Sequence, residues 1–144
     1  MPKIVVNKNE NNKSIFLSFD DGPHPDTSLK ILKLLEKYQA KASFFLLGEM
    51  VLKHKKLFEE IKKQSHSIGT HGMRHRYQPV FCTKTYIREI EESAEIIGTK
   101  LFRPPYGFIT PRVYRKLKNK FEIVLWDVMP GDFKRNKSLD DMIK

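Results

Sequence analysis

The sequence has little cysteine and no long apolar run. Its single cysteine, Cys82, cannot form an internal disulfide, so nothing in the chain requires an oxidising compartment, and we expect a semi-buried, unreactive thiol. No apolar stretch reaches the length of a transmembrane helix, and residues 1–14 lack the apolar segment of a signal peptide. The chain is therefore predicted to be cytoplasmic if it is complete, and secreted or held in the cell envelope if it is a trimmed domain.

Acidic residues are also few, with 17 Asp and Glu against 27 Lys and Arg and a formal net charge of +10. The basic residues are scattered, and no helix-turn-helix, zinc-finger or aromatic RNA-binding motif accompanies them. We interpret the charge as a solvated basic surface rather than a nucleic-acid site. A nucleic-acid binder stays as an alternative, which a salt-sensitive DNA mobility shift would reveal. The length of 144 residues predicts one domain over 1–144, and we expect it to be a monomer.

Strand and helix patterns alternate along the chain. Helical spacing of apolar residues predicts helices after Asp26 and Thr27, at 57–63, 86–97 and 111–118, and from Ser138. Short apolar runs predict five buried strands, at 15–19, 42–47, 67–70, 101–102 and 123–126. This alternation predicts an α/β fold with a parallel sheet or barrel.

Polar residues follow these strands at their carboxyl ends. They are Asp20, Asp21, His71, Arg103 and Asp127. In barrels and open α/β sheets, binding and catalytic sites are built at that edge. We therefore expect these side chains to lie close together.

The two adjacent carboxylates of Asp20 and Asp21 repel each other, and either a shared proton or a cation would relieve that repulsion. A capped turn is the alternative, because Gly and Pro follow them. His71 and His75 are four residues apart, which in a helical turn would place both imidazoles on one face. Gly72 excludes the metalloprotease motif, which needs Glu there. With Asp21, the histidines would give three ligands and an open fourth position, as in catalytic metal sites.

Two further segments are candidates. Residues 103–107 (RPPYG) form a rigid loop after a strand, which suits the presentation of an arginine or a backbone N–H, although an ordinary proline-rich turn fits equally. Residues 126–133 place Asp127 and Asp132 beside aromatic residues, which by itself indicates little.

Together these segments resemble the motifs of the polysaccharide deacetylases of the NodB-homology type, carbohydrate esterase family 4. The family motifs occur in order as 18–22 (SFDDG), 71–75 (HGMRH), 103–106 (RPPY) and 132–133 (DF), and the resemblance runs from about residue 14 to the end of the chain. It implies a distorted (β/α)7-type barrel, incomplete at the C-terminus, and hydrolysis of N-acetyl groups on glycans such as peptidoglycan, chitin or chitin oligomers.

The resemblance also implies residue roles. Asp21, His71 and His75 would bind one divalent metal ion, zinc by ligand type, with cobalt or nickel as substitutes. Asp20 would be the general base and Arg103 its partner. The Tyr106 backbone N–H would help to hold the oxyanion, and Asp132 would tune a catalytic histidine.

Three departures from the family pattern matter. Gly72 replaces the usual Ser or Thr, so we expect a hydrogen bond that steadies the histidine loop to be lost. Phe133 replaces Trp. The late Leu-x-His motif, which carries the catalytic acid, has no match, so we expect a truncated domain, and a metal- and glycan-binding remnant without activity is the alternative function.

Overall fold

Six parallel strands form one sheet in the computed structural model, which describes residues 4–5, 15–78 and 82–131. The strands are β1 (Ile4–Val5), β2 (Leu17–Asp20), β3 (Ala42–Leu46), β4 (Ser67–Thr70), β5 (Leu101–Phe102) and β6 (Glu122–Val124). Their spatial order is β1-β6-β5-β4-β3-β2, and every neighbouring pair is parallel. Sequence-adjacent strands from β2 to β6 are neighbours, as repeated β-α connections require.

Within the described ranges, five α-helices and a 3₁₀ turn at 105–107 connect the strands. They are α1 (Ser28–Lys37), α2 (Gly48–Lys53), α3 (Lys55–Lys63), α4 (Thr83–Ile97), the 3₁₀ turn (Pro105–Gly107) and α5 (Pro111–Leu117). Helix α4 shows why they form. It buries Ile90, Ala94 and Ile97 at helical spacing and ends at Gly98, whose φ of 76° suits glycine. No helix in the described ranges is long and apolar enough to cross a membrane.

The core lies in two apolar clusters between the sheet and the helices. One joins α1, α3 and the carboxyl half of α4 to β3, through residues such as Leu32, Phe44 and Ile61. The other joins α4 and α5 to β5 and β6, through Phe102 and Ile123. These clusters hold the helices against the outer face of the sheet. Because all six strands are parallel, the polar residues that follow them lie at one common edge.

The sheet is curled, and Arg103 shows by how much. Arg103 directly follows β5, yet its Nη1 atom lies 2.8 Å from Ser18 Oγ of β2. Two strands, β4 and β3, stand between them, and a flat sheet would separate β5 from β2 by roughly 14 Å. The observed contact requires a curved sheet whose inner face holds the arginine. The prediction of a parallel α/β sheet curled in the manner of a distorted barrel is confirmed.

The element bounds follow the sequence prediction with definite exceptions. Strand β1 and helix α2 were not predicted, and Gly48 begins α2 rather than only closing β3. The first predicted strand, 15–19, lies instead at Leu17–Asp20 and is not buried, because β2 is at the edge of the described sheet and pairs only with β3. The helix predicted from Ser138 lies outside the described residues.

Candidate metal centre

Asp21, His71 and His75 come together at the carboxyl edge of the sheet. Asp21 Oδ1 lies 3.8 Å from the Nε2 atom of each histidine. One ligand atom from each residue falls within 4.8 Å of the other two. Asp21 has a φ of 69°, so its backbone leaves β2 in the left-handed region, an uncommon conformation for a residue other than glycine. Two imidazole nitrogens and one carboxylate oxygen form a donor set that suits a divalent transition metal.

His71 is held in one orientation by the backbone. Its side chain is 2% exposed, and Nδ1 lies 2.7 Å from the carbonyl oxygen of Arg103. A carbonyl only accepts, so Nδ1 carries the proton and donates, which leaves the Nε2 lone pair facing Asp21. Burial lowers the pKa of His71, so the neutral ring is the favoured form. A neutral, oriented imidazole is ready to bind a metal ion.

Residues 71–75 form a loop rather than a helical turn, so the one-face argument from helical spacing does not apply to the two histidines. Gly72 has a φ of 89°, which breaks helical geometry at the second residue. The loop is tied to the start of α2 by hydrogen bonds from the Gly48 and Glu49 N–H groups to the carbonyls of Gly72 and Met73, at 3.0 and 3.1 Å. The loop, rather than helical spacing, brings the two imidazoles to one point.

Asp20 faces the neighbouring Arg103 rather than the histidines. Arg103 Nη1 donates to Asp20 Oδ1 at 2.8 Å, as the sequence predicted for this pair. The arginine is 4% exposed and also donates to the carbonyls of Val124 and Leu125, while its guanidinium lies 3.9 Å from the Phe45 ring centroid. These bonds account for the buried charge and fix the position of the Asp20 carboxylate.

Tyr106 lies beside the second histidine. Its ring meets the His75 ring edge-on, with centroids 4.4 Å apart, and also contacts Tyr77 at 5.6 Å. Its backbone has a φ of 59° within the 3₁₀ turn. The third motif is thus a tight turn packed against His75.

The outcome differs for three other residues that the sequence analysis named. Asp127 is exposed after β6 and makes no ion pair or hydrogen bond within the described part of the chain. Asp132, and the Phe133 beside it, lie outside the described residues. Cys82 is exposed rather than semi-buried, and the pKa of its thiol is lowered by hydrogen bonds from the backbone at Thr85 and Lys84.

Sequence reasoning missed two hydroxyl residues that contact the histidine loop, Thr70 and Ser93. Both are 0% exposed. Ser93 lies on the buried face of α4 among apolar residues, and a hydroxyl at such a position needs a hydrogen-bond partner. A serine among the apolar residues of that face was therefore the only hint in the sequence. It could not reveal which group Ser93 bonds to, because that depends on how the loop folds.

Comparison with known proteins assigns the chain to a family. The family model described as polysaccharide deacetylase matches residues 7–124. The chain belongs to the polysaccharide deacetylase family. It is 36% identical over 134 residues to the peptidoglycan-N-acetylmuramic acid deacetylase PdaC of Bacillus subtilis strain 168, covering 88% of this chain and 28% of that protein. It is 35% identical over 125 residues to chitin deacetylase 1 of Saccharomyces cerevisiae, covering 81% of this chain and 40% of that protein.

Solved structures of polysaccharide deacetylases share the fold. The structure of PdaC from Bacillus subtilis superposes with a TM-score of 0.83 at 32% identity, over 94% of this chain and 69% of that one. The chain spans less than half the length of the two relatives named above. The family model and the PdaC structure together establish the family and the fold of this chain.

Proposed function

We propose that this chain is a metal-dependent hydrolase that removes N-acetyl groups from glycans containing N-acetylglucosamine. The observation that carries the proposal is the convergence of Asp21, His71 and His75 within 4.8 Å, directly beside the Asp20–Arg103 pair. Relatives named as peptidoglycan and chitin deacetylases support the choice of substrate class.

The donor set fits one divalent ion, and zinc suits it best because imidazole and carboxylate are its usual ligands. Asp21, His71 and His75 would hold the ion with three protein ligands and so leave room for water and substrate. When bound, such an ion supplies a Lewis acid for an acyl oxygen and acidifies water.

The chain's own residues would perform the remaining steps. Asp20 accepts a proton from the attacking water as general base. Its Oδ1 receives the Arg103 N–H, so Oδ2 is the oxygen that takes the proton. The Tyr106 backbone N–H donates to the developing oxyanion from the turn packed on His75. Asp132 would tune a catalytic histidine that protonates the leaving amine, as the family resemblance implies, although no histidine of this sequence matches that one.

The direct test is acetate release from N-acetylglucosamine oligomers and from peptidoglycan by the zinc-loaded chain. We expect slow release, because the family's acid histidine has no match in this sequence, and a chelator should stop it and added zinc restore it. Asp20→Asn should reduce the rate of acetate release by a factor of about 10²–10⁴, because it removes the general base. Asp127→Asn is the matched control, since this exposed aspartate follows another strand of the same sheet without contacting the triad.

The outcome also separates the two candidate functions. Zinc binding and glycan binding without acetate release would favour the inactive remnant and would contradict the hydrolase. Acetate release that is equal in the Asp20→Asn variant would leave the hydrolase standing but would refute the role given to Asp20.

A further inference from the structure

The histidine loop is closed by a ring of buried hydrogen bonds. The Gly72 N–H donates to Thr70 Oγ1 at 3.0 Å, and Thr70 Oγ1 lies 2.7 Å from Ser93 Oγ. Ser93 Oγ donates to the Gly72 carbonyl at 3.0 Å. Each hydroxyl has one proton, and the Ser93 proton is used on the carbonyl, so Thr70 must donate to Ser93. Both polar groups of Gly72 are thereby held by two side chains.

Helix α4 supplies one side of this ring, although none of its residues belongs to the triad. Ser93 contacts the loop at Gly72 and packs closely against Gly48, where an added Cβ would lie 2.8 Å from the Ser93 Oγ. One helical turn earlier, Glu89 pairs with Arg74 at 3.4 Å and with Arg76 at 3.3 Å. The residues at i and i+4 of α4 thus hold the loop on both sides of Met73.

The geometry points to Thr70 and Ser93 as positioning residues for the metal centre. Gly72 lies between the two histidines, and its φ of 89° sets the direction in which the chain runs to His75. The ring fixes both peptide groups of that residue, so it fixes the separation of the two Nε2 atoms. This inference rests on the proposed function, because it assumes that the triad binds a metal ion.

The position of the ring argues for a role beyond general stability. Thr70 is the residue directly before His71, and the ring contains no atom outside the loop, its preceding strand and α4. Removing a group that hydrogen-bonds to a metal ligand changes metal affinity by about 10–100-fold, and Thr70 and Ser93 would act on the ligands through Gly72, the residue between them. A hydroxyl that only stabilised the fold would change the free energy of unfolding and leave the affinity as it was.

The test compares hydroxyl removal with hydroxyl retention in the full chain. Thr70→Val keeps the shape and removes the hydroxyl, whereas Thr70→Ser keeps the hydroxyl, and Ser93→Ala removes the other member of the ring. Thr99→Val is the matched control. The Thr99 hydroxyl also makes two hydrogen bonds, to the Ile68 carbonyl at 2.7 Å and from the Leu101 N–H at 3.1 Å, and it precedes β5 at the opposite end of the strands.

Three quantities are measured for each variant: zinc affinity by competition titration, the visible absorption spectrum with cobalt(II), and the unfolding temperature of the metal-free protein. We expect zinc binding about 10–100-fold weaker in Thr70→Val and Ser93→Ala, with an altered cobalt spectrum. Thr70→Ser should restore both. Thr99→Val should lower the unfolding temperature and leave zinc affinity and the cobalt spectrum unchanged.

Wild-type zinc affinity and spectrum in Thr70→Val and Ser93→Ala would overturn the positioning role, as would an equal loss of affinity in Thr99→Val. If the wild type binds zinc and releases acetate in that case, only this inference fails. If the wild type binds no zinc, the proposed metal centre fails first and the positioning role fails with it.

Discussion

Two adjacent aspartates, Asp20 and Asp21, face different partners because the backbone turns between them. Asp20 ends β2 and pairs with the buried Arg103, whereas Asp21, in the left-handed region, is near both histidines. The sequence predicted both partnerships through the family motifs. It could not have predicted them from charge alone, since two neighbouring carboxylates are equally consistent with a capped turn.

This division of roles predicts opposite effects of two similar substitutions. Asp21→Asn removes a charged ligand. It should weaken zinc affinity by more than the roughly 10–100-fold that is typical when a group hydrogen-bonded to a metal ligand is lost. Asp20→Asn should keep zinc bound near wild-type affinity, because Arg103 and not the triad contacts it. Titration of both variants with zinc checks this, and a loss of zinc by Asp20→Asn with retention by Asp21→Asn would show that the roles are reversed.

Gly72 gives a second prediction at this scale. Gly72 has no side chain to make the hydrogen bond expected of the family's usual Ser or Thr, and Thr70 and Ser93 hold its backbone N–H and carbonyl instead. Introducing the family's usual serine, Gly72→Ser, should therefore weaken zinc binding rather than strengthen it. The φ of 89° disfavours any side chain, at a cost of about 1 kcal/mol in folding.

Gly98→Ser is the control for that strain. Gly98 has a φ of 76°, ends α4, and has no atom within 4 Å of its Cβ position. Urea unfolding should show similar losses of stability for the two variants, and only Gly72→Ser should lose zinc affinity. Tighter zinc binding by Gly72→Ser would refute this account of the loop.

Elements with a strong local pattern were predictable, and elements defined by their neighbours were not. Strands β4 and β5 have the predicted bounds, and α4 differs only at its start. Strand β1 has two residues and forms by pairing with β6, a contact that no local pattern reveals. Helix α2 was not predicted, because the glycine at its first position, Gly48, is typical of the end of an element rather than the start of a helix. The shape of the loop at 71–75 was not predictable, because the spacing of two histidines does not distinguish a loop from a helical turn.

His66, the residue directly before β4, gives a prediction about how the stability of the fold depends on pH. His66 is buried against Phe44, with ring centroids 5.2 Å apart, and neither ring nitrogen has a hydrogen-bond partner among the described residues. Burial and, secondarily, the charge of Lys41 lower its pKa below 6.5. The unfolded chain therefore binds the proton more readily, so the stability that neutral His66 contributes is present above pH 6.5 and is lost as the pH falls below it.

Replacing this histidine with a group that does not titrate should remove that part of the pH dependence. The metal-free His66→Leu variant should lose less stability than the wild type between pH 7.5 and pH 5.5, measured by urea unfolding. The comparison isolates His66, since His71 is present in both proteins. Identical pH dependence in the two proteins would contradict the burial argument.

Among the described residues no strand pairs with the outer edge of β2, and apolar side chains stand exposed there. Ile15 is 89% exposed, Phe16 66% and Leu17 44%. An exposed strand edge with an apolar patch promotes association between chains. We expect concentration-dependent association of the chain, which the double substitution Ile15→Lys, Phe16→Lys should reduce without changing zinc affinity.

Light scattering over a range of protein concentrations checks this prediction. Leu34→Lys is the control, because Leu34 is 56% exposed but lies on helix α1 rather than at the sheet edge. Equal suppression of association by this control would mean that added charge, and not the edge, is responsible. Unchanged association in the double variant would show that the edge is not the contact.

The central claim is a metal centre built from Asp21, His71 and His75, and elemental analysis tests it most directly. The purified chain, supplemented with zinc and then freed of unbound metal, is compared with the double variant His71→Ala, His75→Ala. We predict one zinc ion per wild-type chain and none in the variant, because the variant loses two of the three ligands. Equal zinc content in the two proteins, or no zinc in the wild type, would contradict the account.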